Sequence, residues 1–588
     1  MRFCQPFPSR LLVVGILTGA VGVLSAQQSR RNLVLITLDT VRADRVGAYG
    51  YESAQTPALD RLAREGVRFA DATSQAPLTG PAHAALLTGM YPGRFGILDN
   101  AAAPLPAEAV SLAEILKSAG YRTAAFVGSF ILDRPYGFGQ GFDDFDSSFD
   151  RFDASNKLQA RRTADQVLQP ATAWLARRSA EGPFFMWVHF YDAHSPYDSP
   201  SSFRQKFPGR AYDGAIAYVD AAVDRLLEQL RARGSLERTV VVAIGDHGES
   251  LGEHGEAEHG VLLYDSTLQI PWIMRLPGRH QAGRVISEQA RTIDLVPTVL
   301  DLLGVPTPRP LDGENLMPVI GGRARRDPPA SYAETFYPKL HFGWSELRSL
   351  RVGDWKFIEA PRPELYDLRA DPSEQRNVLA DRQPLAQGLA SELRKIRAQF
   401  GSGAAAAAPV QPDPETLARL RSLGYIGLAA PSVSPTAGAD PKDMVSRVEV
   451  YRRLITGALD DLSHRRPDAA IEKLNGLMEE NQRHYDVHLF LGDAYRQKRD
   501  HDKALGEYAA AALLNPNSAA PQISAAEVYV EAAQFDRALQ KLAEARGIEP
   551  GSPDVALGRG RVFERTGRDP EASAEYEHVR GERPEKIK

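Results

Sequence analysis

The chain has 588 residues, too many for one ordinary domain, so two or three are expected. Hydrophobic content of 43% and charged content of 25% fit a globular protein, and a net charge of −5 leaves no basic footprint for nucleic acid. Cys4 is the only cysteine and precedes an apolar run, which excludes a disulfide framework and a lipoprotein acylation site.

Taken in order, residues 1–26 read as a signal peptide. Arg2 and Arg10 form a positive start, Leu11 to Leu24 is apolar or small, and Leu24-Ser25-Ala26 offers a cleavage site. The protein is therefore expected to be exported, periplasmic or secreted; left uncleaved, the segment would instead be a membrane anchor. Asn32 to Leu38 reads as a buried strand ending at Asp39. Thr56 to Ala63 reads as a helix with Thr56 as N-cap and Pro57 in the first position. The stretch Ala76 to Gly89 looks like a loop entering a helix, Ala82 to Leu87, that stops at Gly89. A helix over Ser111 to Gly120, a strand over Tyr121 to Val127 and another over Phe184 to Phe190 follow. Asp192 and His194 come next. The long helix Tyr212 to Arg233 leads into the strand Thr239 to Ile244, which opens on Gly245-Asp246-His247-Gly248-Glu249. Strands alternating with helices predict an α/β fold, a doubly wound and mostly parallel sheet covered on both faces.

From about residue 345 the pattern shortens. Trp355 to Ile358 and Glu364 to Leu368 predict a small antiparallel subdomain closing a catalytic domain over 31–400. Residues 401–440 read as a linker: Gly401 to Pro412 is Ala/Gly/Pro-rich, Pro414 to Leu423 is a short helix, and Leu428 to Asp440 is again Ala/Pro/Ser-rich. Residues 441–588 are repetitive. Ala470, Ala504, Ala538 and Ala572 recur every 34 residues, with Leu474, Tyr508, Leu542 and Tyr576 in step. Gly492, Ala526 and Gly560 precede Tyr495, Tyr529 and Phe563 at the same spacing. This is the tetratricopeptide period, so about four units, the first incomplete, should stack into an all-α solenoid with a concave face for a protein or peptide partner.

Three strands end in chemistry-bearing loops: Asp39, then Asp192 and His194, then Asp246 and His247. In an open α/β sheet, ligands bind in the crevice beyond the carboxyl ends of the strands. Two carboxylates with imidazole make a hydrolytic metal site, since both are good ligands for Zn²⁺ or Mn²⁺. Thr79 is either a plain N-cap or the nucleophile, standing where free N–H groups and the helix dipole favour an anion. A metal on its oxygen would lower its pKa and make it an attacking group.

Asp39-Thr40-Val41-Arg42-Ala43-Asp44, Pro77 to Gly89 and Gly245-Asp246-His247-Gly248-Glu249 resemble the sulfatase branch of the alkaline phosphatase superfamily. Leu365-Tyr366-Asp367-Leu368, with Asp371-Pro372, Glu374 and Asn377, resembles its C-terminal signature. The resemblance implies a metal-dependent ester hydrolase holding one or two divalent ions (Zn²⁺, Mn²⁺ or Ca²⁺). It places Asp39, Thr79, Asp246 and His247 on the first ion, with Thr79 as nucleophile. His194 and His259 fall at positions that touch substrate or a second ion, or act as general acid, and Asp192 is a weaker candidate there. His189, His254 and the glutamates at 249, 253, 256 and 258 read as surface or supporting groups.

Departures from the pattern sharpen the expectation. Thr79 stands where sulfatases carry a Cys or Ser converted to formylglycine, His83 where they carry Arg, and Thr40 where they use a metal-binding Asp. The Thr and Asp-His pair resembles instead the superfamily's phosphodiesterases and its phosphoethanolamine or phosphoglycerol transferases. The expected substrate is a phosphate mono- or diester, or a sulfate ester, of a small molecule or glycan. A transferase acting on envelope glycans, and a non-catalytic repeat scaffold, are the alternatives.

Overall fold

Residues 31–101, 103–149, 160–178, 182–400, 419, 438–478 and 485–582 are described in a computed structural model. The signal segment 1–26 and the linker helix and Ala-rich linkers lie outside the described residues, apart from 419 and 438–440.

The first unit carries the strands β1 (Asn32–Leu38), β2 (Val67–Phe69), β3 (Ala72–Thr73), β4 (Arg122–Val127), β5 (Asp144–Asp146), β6 (Phe184–Phe190), β7 (Thr239–Gly245), β8 (Trp272–Arg275), β9 (Arg284–Ile286) and β10 (Ala290–Arg291). Eight of them form one sheet in the order β5-β4-β6-β1-β7-β8-β2-β9. It is mostly parallel; β8 alone runs against both its neighbours, β7 and β2.

β1, β6 and β7 are buried along their whole length. Their side chains alternate between two cores, as the period of a strand requires. Leu33, Leu35, Trp187, Val240 and Val242 enter one; Val34, Ile36, Met186, Val188 and Val241 enter the other. Each aliphatic side chain removed from water in this way contributes about 1.5–3 kcal/mol. Burial on both faces is why these strands read as unbroken apolar runs. Polar residues are thereby pushed to the strand ends, where β1 delivers Asp39 and β7 delivers Asp246.

Two helix starts differ from expectation. The helix Pro57–Glu65 begins where predicted, but Thr56 makes no side-chain cap. Buried Asp220 accepts the N–H groups of Ala58 and Leu59 instead, at 3.0 and 2.8 Å. The helix after the third strand spans Thr79–Thr88, so Thr79 is its first residue and Leu78 holds the N-cap position. Its end at Gly89 is as read, with Gly89 left-handed at φ 68° because an L side chain there would be strained and would meet Val296.

A second, antiparallel sheet runs in the order β11 (Ala330–Thr335), β12 (Leu347–Val352), β13 (Trp355–Glu359) and β14 (Glu364–Asp367). Its first two strands were not anticipated. Buried Lys356 on β13 lies 2.8 Å from both Asp265 and Glu374, an ion network that fastens this sheet to the main unit.

The repeat region forms helix pairs: 441–463 with 467–478, 485–497 with 501–514, 520–531 with 535–548, and 553–565 with 569–582. Ala470, Ala504, Ala538 and Ala572 are buried where paired helices touch. The small/large alternation has a direct steric cause. A Cβ on Gly492 would lie 2.4 Å from the Tyr508 ring, and one on Gly560 would lie 2.5 Å from that of Tyr576.

Candidate active site and metal centre

Asp39, Asp246 and His247 come together at the carboxyl ends of β1 and β7, all fully buried, with one ligand atom from each within 4.8 Å of the others. Each carboxylate is half satisfied by protein. Asp246 Oδ1 accepts the N–H groups of Thr40 (3.1 Å) and His247 (2.8 Å), leaving Oδ2 without a hydrogen-bond partner. Asp39 Oδ2 accepts from His189 Nε2 at 3.0 Å, leaving Oδ1 without one. Two buried carboxylate oxygens with nothing to receive are costly unless a cation or a proton compensates. Burial accordingly pushes the Asp39 carboxyl up to about 7, against the opposing pull of His247 and the Thr79 hydroxyl. Asp246 is raised for the same reason, with Asp39 adding to the effect.

Hydrogen bonds fix the imidazole tautomers. His247 Nδ1 faces the carbonyl of Gly248 at 2.9 Å, so it donates there, and Nε2 keeps a lone pair 3.5 Å from Thr79 Oγ1. That arrangement, a ligand nitrogen whose partner N–H is held by a carbonyl, is the one metal-binding histidines use. Carboxylate oxygens, a neutral imidazole and a hydroxyl fit a divalent cation such as Zn²⁺ or Mn²⁺.

Around this centre lies a supporting shell, to which His189 belongs. His189 takes the N–H of Gly128 on Nδ1 and donates from Nε2 to Asp39; burial holds its pKa down at about 4. His83 stands where the resemblance places an arginine, with its Nδ1 3.5 Å from Asp246 Oδ2. It is fully buried, receives the Thr37 hydroxyl on Nε2 and donates from Nδ1 to the Thr79 carbonyl at 2.8 Å. Burial pushes it down to about 3, so it stays a neutral brace under Thr79. The signal for His189 was present: a lone histidine in an otherwise apolar strand, in register with Thr37 beside the Asp39 turn.

Asn100 was missed. Its Oδ1 accepts the N–H of Gly80 at 2.7 Å, so that first-turn donor is not free for an anion. Its Nδ2 is buried without a partner.

His194 and His259 meet edge to face with ring centres 4.9 Å apart, and His259 lies 4.6 Å from His247. Neither belongs to the three-residue cluster. His194 donates from Nδ1 to the Ser195 carbonyl (2.8 Å), and His259 from Nδ1 to Glu249 Oε1 (2.8 Å), which leaves the His259 Nε2 with a lone pair. Burial pushes His194 down to about 3, and His259 well below the usual imidazole range. Asp192 is placed elsewhere: its Oδ1 accepts the N–H of Ala164, at the start of the helix 164–177, and it does not join the cluster. Of the supporting groups, Glu249 is buried behind His259, Glu253 pairs with Arg42, and Glu256 accepts the N–H of Val261. His254 stacks on Tyr264 away from the centre.

Comparison with known proteins places the chain among sulfatases. Residues 31–305 match the Sulfatase family model, 252–399 the C-terminal model of N-sulphoglucosamine sulphohydrolase, and 455–522 and 523–585 a tetratricopeptide repeat model. The ulvan-active sulfatase of Formosa agariphila is 28% identical over 428 residues, covering 64% of this chain and 82% of that one. Human arylsulfatase A is 28% identical over 449 residues, covering 63% and 88%. The crystal structure of the phosphonate monoester hydrolase of Agrobacterium radiobacter superposes with a TM-score of 0.55 at 22% identity, over 66% of this chain and all of that one.

Proposed function

Because this chain belongs to the sulfatase family and ends in tetratricopeptide repeats, we propose that it is an exported ester hydrolase that uses Thr79 as its nucleophile. Phosphorus esters, mono- or di-, are its preferred substrates ahead of sulfate esters. The observation that carries the reading is the pair of partnerless oxygens, Asp39 Oδ1 and Asp246 Oδ2, buried beside His247 with the Thr79 hydroxyl at their edge.

Asp39, Asp246 and His247 would hold a divalent cation, which when bound supplies positive charge against the substrate's oxygens and the developing charge on Thr79. The chain's own groups do the rest. The Asn100 amide donates to a non-bridging oxygen, with the positive end of the helix Thr79–Thr88 beneath it. Thr79 Oγ attacks phosphorus in line, its proton leaving to water, and the bond from phosphorus to the ester oxygen breaks. The displaced oxygen takes a proton from the Nε2 of His194 or His259, acquired as the anionic substrate enters. In the second half, the same Nε2, again neutral, removes a proton from the water that attacks phosphorus. The bond from phosphorus to Thr79 Oγ breaks, Thr79 Oγ takes a proton back from solvent, and the phosphate or phosphonate product leaves. A threonine has a single hydroxyl and cannot become an aldehyde hydrate. Its covalent ester must therefore be opened by attack at the central atom, a route open to phosphorus esters.

Among the described residues, no helix is long and apolar enough to cross a membrane. The repeats present a groove of about 530 Å³, lined by Asp493, Arg496, Ile523, Glu527, Val530 and Arg561, that would suit a protein or peptide partner.

The test is the initial rate on four chromogenic esters: phosphate monoester, phosphate diester, phosphonate monoester and sulfate monoester, with Zn²⁺ or Mn²⁺, beside Thr79→Ala. Turnover of a phosphorus ester that vanishes in the variant is the expected result. Dominant sulfate turnover would overturn the substrate assignment, and no turnover by metal-loaded protein would favour a transferase.

A further inference from the structure

The repeat region is joined to the catalytic unit by more than a chain connection. Its first helix, Pro441–Ser463, lies against the loop 252–262 that carries His259. Val445 and Val448 are buried in the same core as β1 and β7, and a Cβ on Gly255 would sit 3.4 Å from Val445. The Tyr451 ring meets Phe342 edge to face at 5.6 Å. Little space remains between the two surfaces: the void lined by Glu256, Glu258, His259, Val448 and Arg452 measures about 10 Å³. No ligand fits there, so the contact is structural or mechanical.

At its centre is one ion pair. Arg452 Nη1 lies 2.9 Å from Glu258 Oε2, with both side chains mostly buried. The other oxygen of Glu258 accepts the hydroxyl of Ser195 at 2.7 Å. Glu258 precedes His259, and Ser195 follows His194 and holds its Nδ1 through the backbone carbonyl. A single carboxylate thus ties together the His194 loop, the His259 loop and a helix of the repeat region. The charge balance points the same way. Glu256 and Glu258 crowd this loop; beyond the effect of burial, Glu258 raises the cost of ionising Glu256, while Arg452 opposes that cost. Glu249 in turn holds His259 Nδ1.

We propose that Arg452, supplied by the repeat region, is a positioning residue of the catalytic site. Through Glu258 it sets the separation of the His194 and His259 loops, which makes the first repeat helix part of the working enzyme. The functional half of the proposal rests on the reading above that these two histidines serve ester cleavage.

The experiment uses full-length Arg452→Ala, Arg452→Lys and Glu258→Gln, with Arg559→Ala as a control that breaks a pair with Glu575 in the last repeat. Two readouts are taken on protein of unchanged thermal midpoint. Hydrogen exchange of residues 192–199 and 253–262 reports the clamp without any substrate. The kinetic constants kcat and KM on the best chromogenic ester report its consequence. The expected result is exchange at least about tenfold faster in both segments for Arg452→Ala. A fall in kcat of about 10- to 100-fold should accompany it, as for a small misplacement of reacting groups, with KM within about threefold. Arg452→Lys should recover most of the loss, because the contact is a single charge. Glu258→Gln should resemble Arg452→Ala, and Arg559→Ala should resemble wild type. Unchanged exchange and kcat in Arg452→Ala would overturn the proposal, as would a loss seen in KM alone. Should Arg452→Ala fail to fold, Arg452→Lys and Glu258→Gln decide on the same criteria. Should wild type cleave no ester, the reading of the site fails while the exchange data still decide the clamp.

Discussion

The catalytic unit and the repeat unit solve the same packing problem in opposite ways. In the repeats each helix pair meets its neighbours, small residues face large ones, and charged groups pair at the surface, as Arg559 does with Glu575. In the catalytic unit, residues from distant parts of the chain converge on one point, and the point is left unsatisfied: Asp39 Oδ1, Asp246 Oδ2 and Asn100 Nδ2 are buried without partners. A structure that tolerates such atoms holds them against a desolvation cost of about 1–3 kcal/mol each, more for charged groups. The contrast is between packing set by a regular repeat and packing set by the convergence of distant residues on one buried cluster.

Breaking the contrast at the nucleophile should have the largest effect. Thr79→Ala is expected to lower kcat by roughly 10⁴-fold or more even when the variant is saturated with metal through Asp39, Asp246 and His247, since no other group in the cluster offers a hydroxyl in its place. Next comes the brace behind the first carboxylate. His189→Gln, which keeps a donor but changes its reach, should weaken divalent-cation affinity by about 10- to 100-fold in calorimetric titration. An unchanged affinity would mean that Asp39 is positioned by the strand end alone. On the other side of the comparison, Gly560→Ala forces a Cβ into the Tyr576 ring. It should destabilise the last helix pair by about 1–3 kcal/mol, seen as an early step in thermal unfolding, with kcat unaltered.

The smallest effect is on pH dependence. Without a cation, the folded protein holds a proton on Asp39 up to about pH 7, whereas the unfolded chain releases it near the ordinary 3.8. The folded state therefore binds more protons across that window. This contribution to stability is fully present below pH 3.8 and is lost as pH rises to about 7. A cation removes the penalty by replacing the proton. The rise in thermal midpoint on adding Zn²⁺ or Mn²⁺ should consequently be larger at pH 8 than at pH 5, by a few degrees for a linkage of about 1–2 kcal/mol. An equal shift at both values would show that Asp39 is ionised in the metal-free protein.

Much of this was legible in the sequence because it is local. A buried strand reads as an apolar run, and the first polar residue beyond it marks the crevice, which is how Asp39 and Asp246 declare themselves. The 34-residue registry is likewise a property of the chain alone. What the sequence hides is pairing at a distance. Asp192 looks equivalent to Asp39, yet the start of the helix 164–177 lies close enough to capture it. Thr56 looks like a cap, and Asp220 performs that job from another helix. Asn100 carries no motif and matters through one contact with Gly80. The short strands β2, β8 and β9 contain too few residues to show a period. Arg452 and Glu258 could be joined only once the repeat helix was seen against the catalytic loop.

The measurement that bears most directly on the account is acid-quenched mixing of metal-loaded enzyme with the aryl phosphate ester it cleaves best, followed by mass spectrometry of the peptide spanning Thr79. The account predicts a phosphoryl group on Thr79 during turnover, absent from Thr79→Ala, which should also fail to turn over. Undiminished turnover by Thr79→Ala, with an unmodified peptide in the wild type, would contradict it.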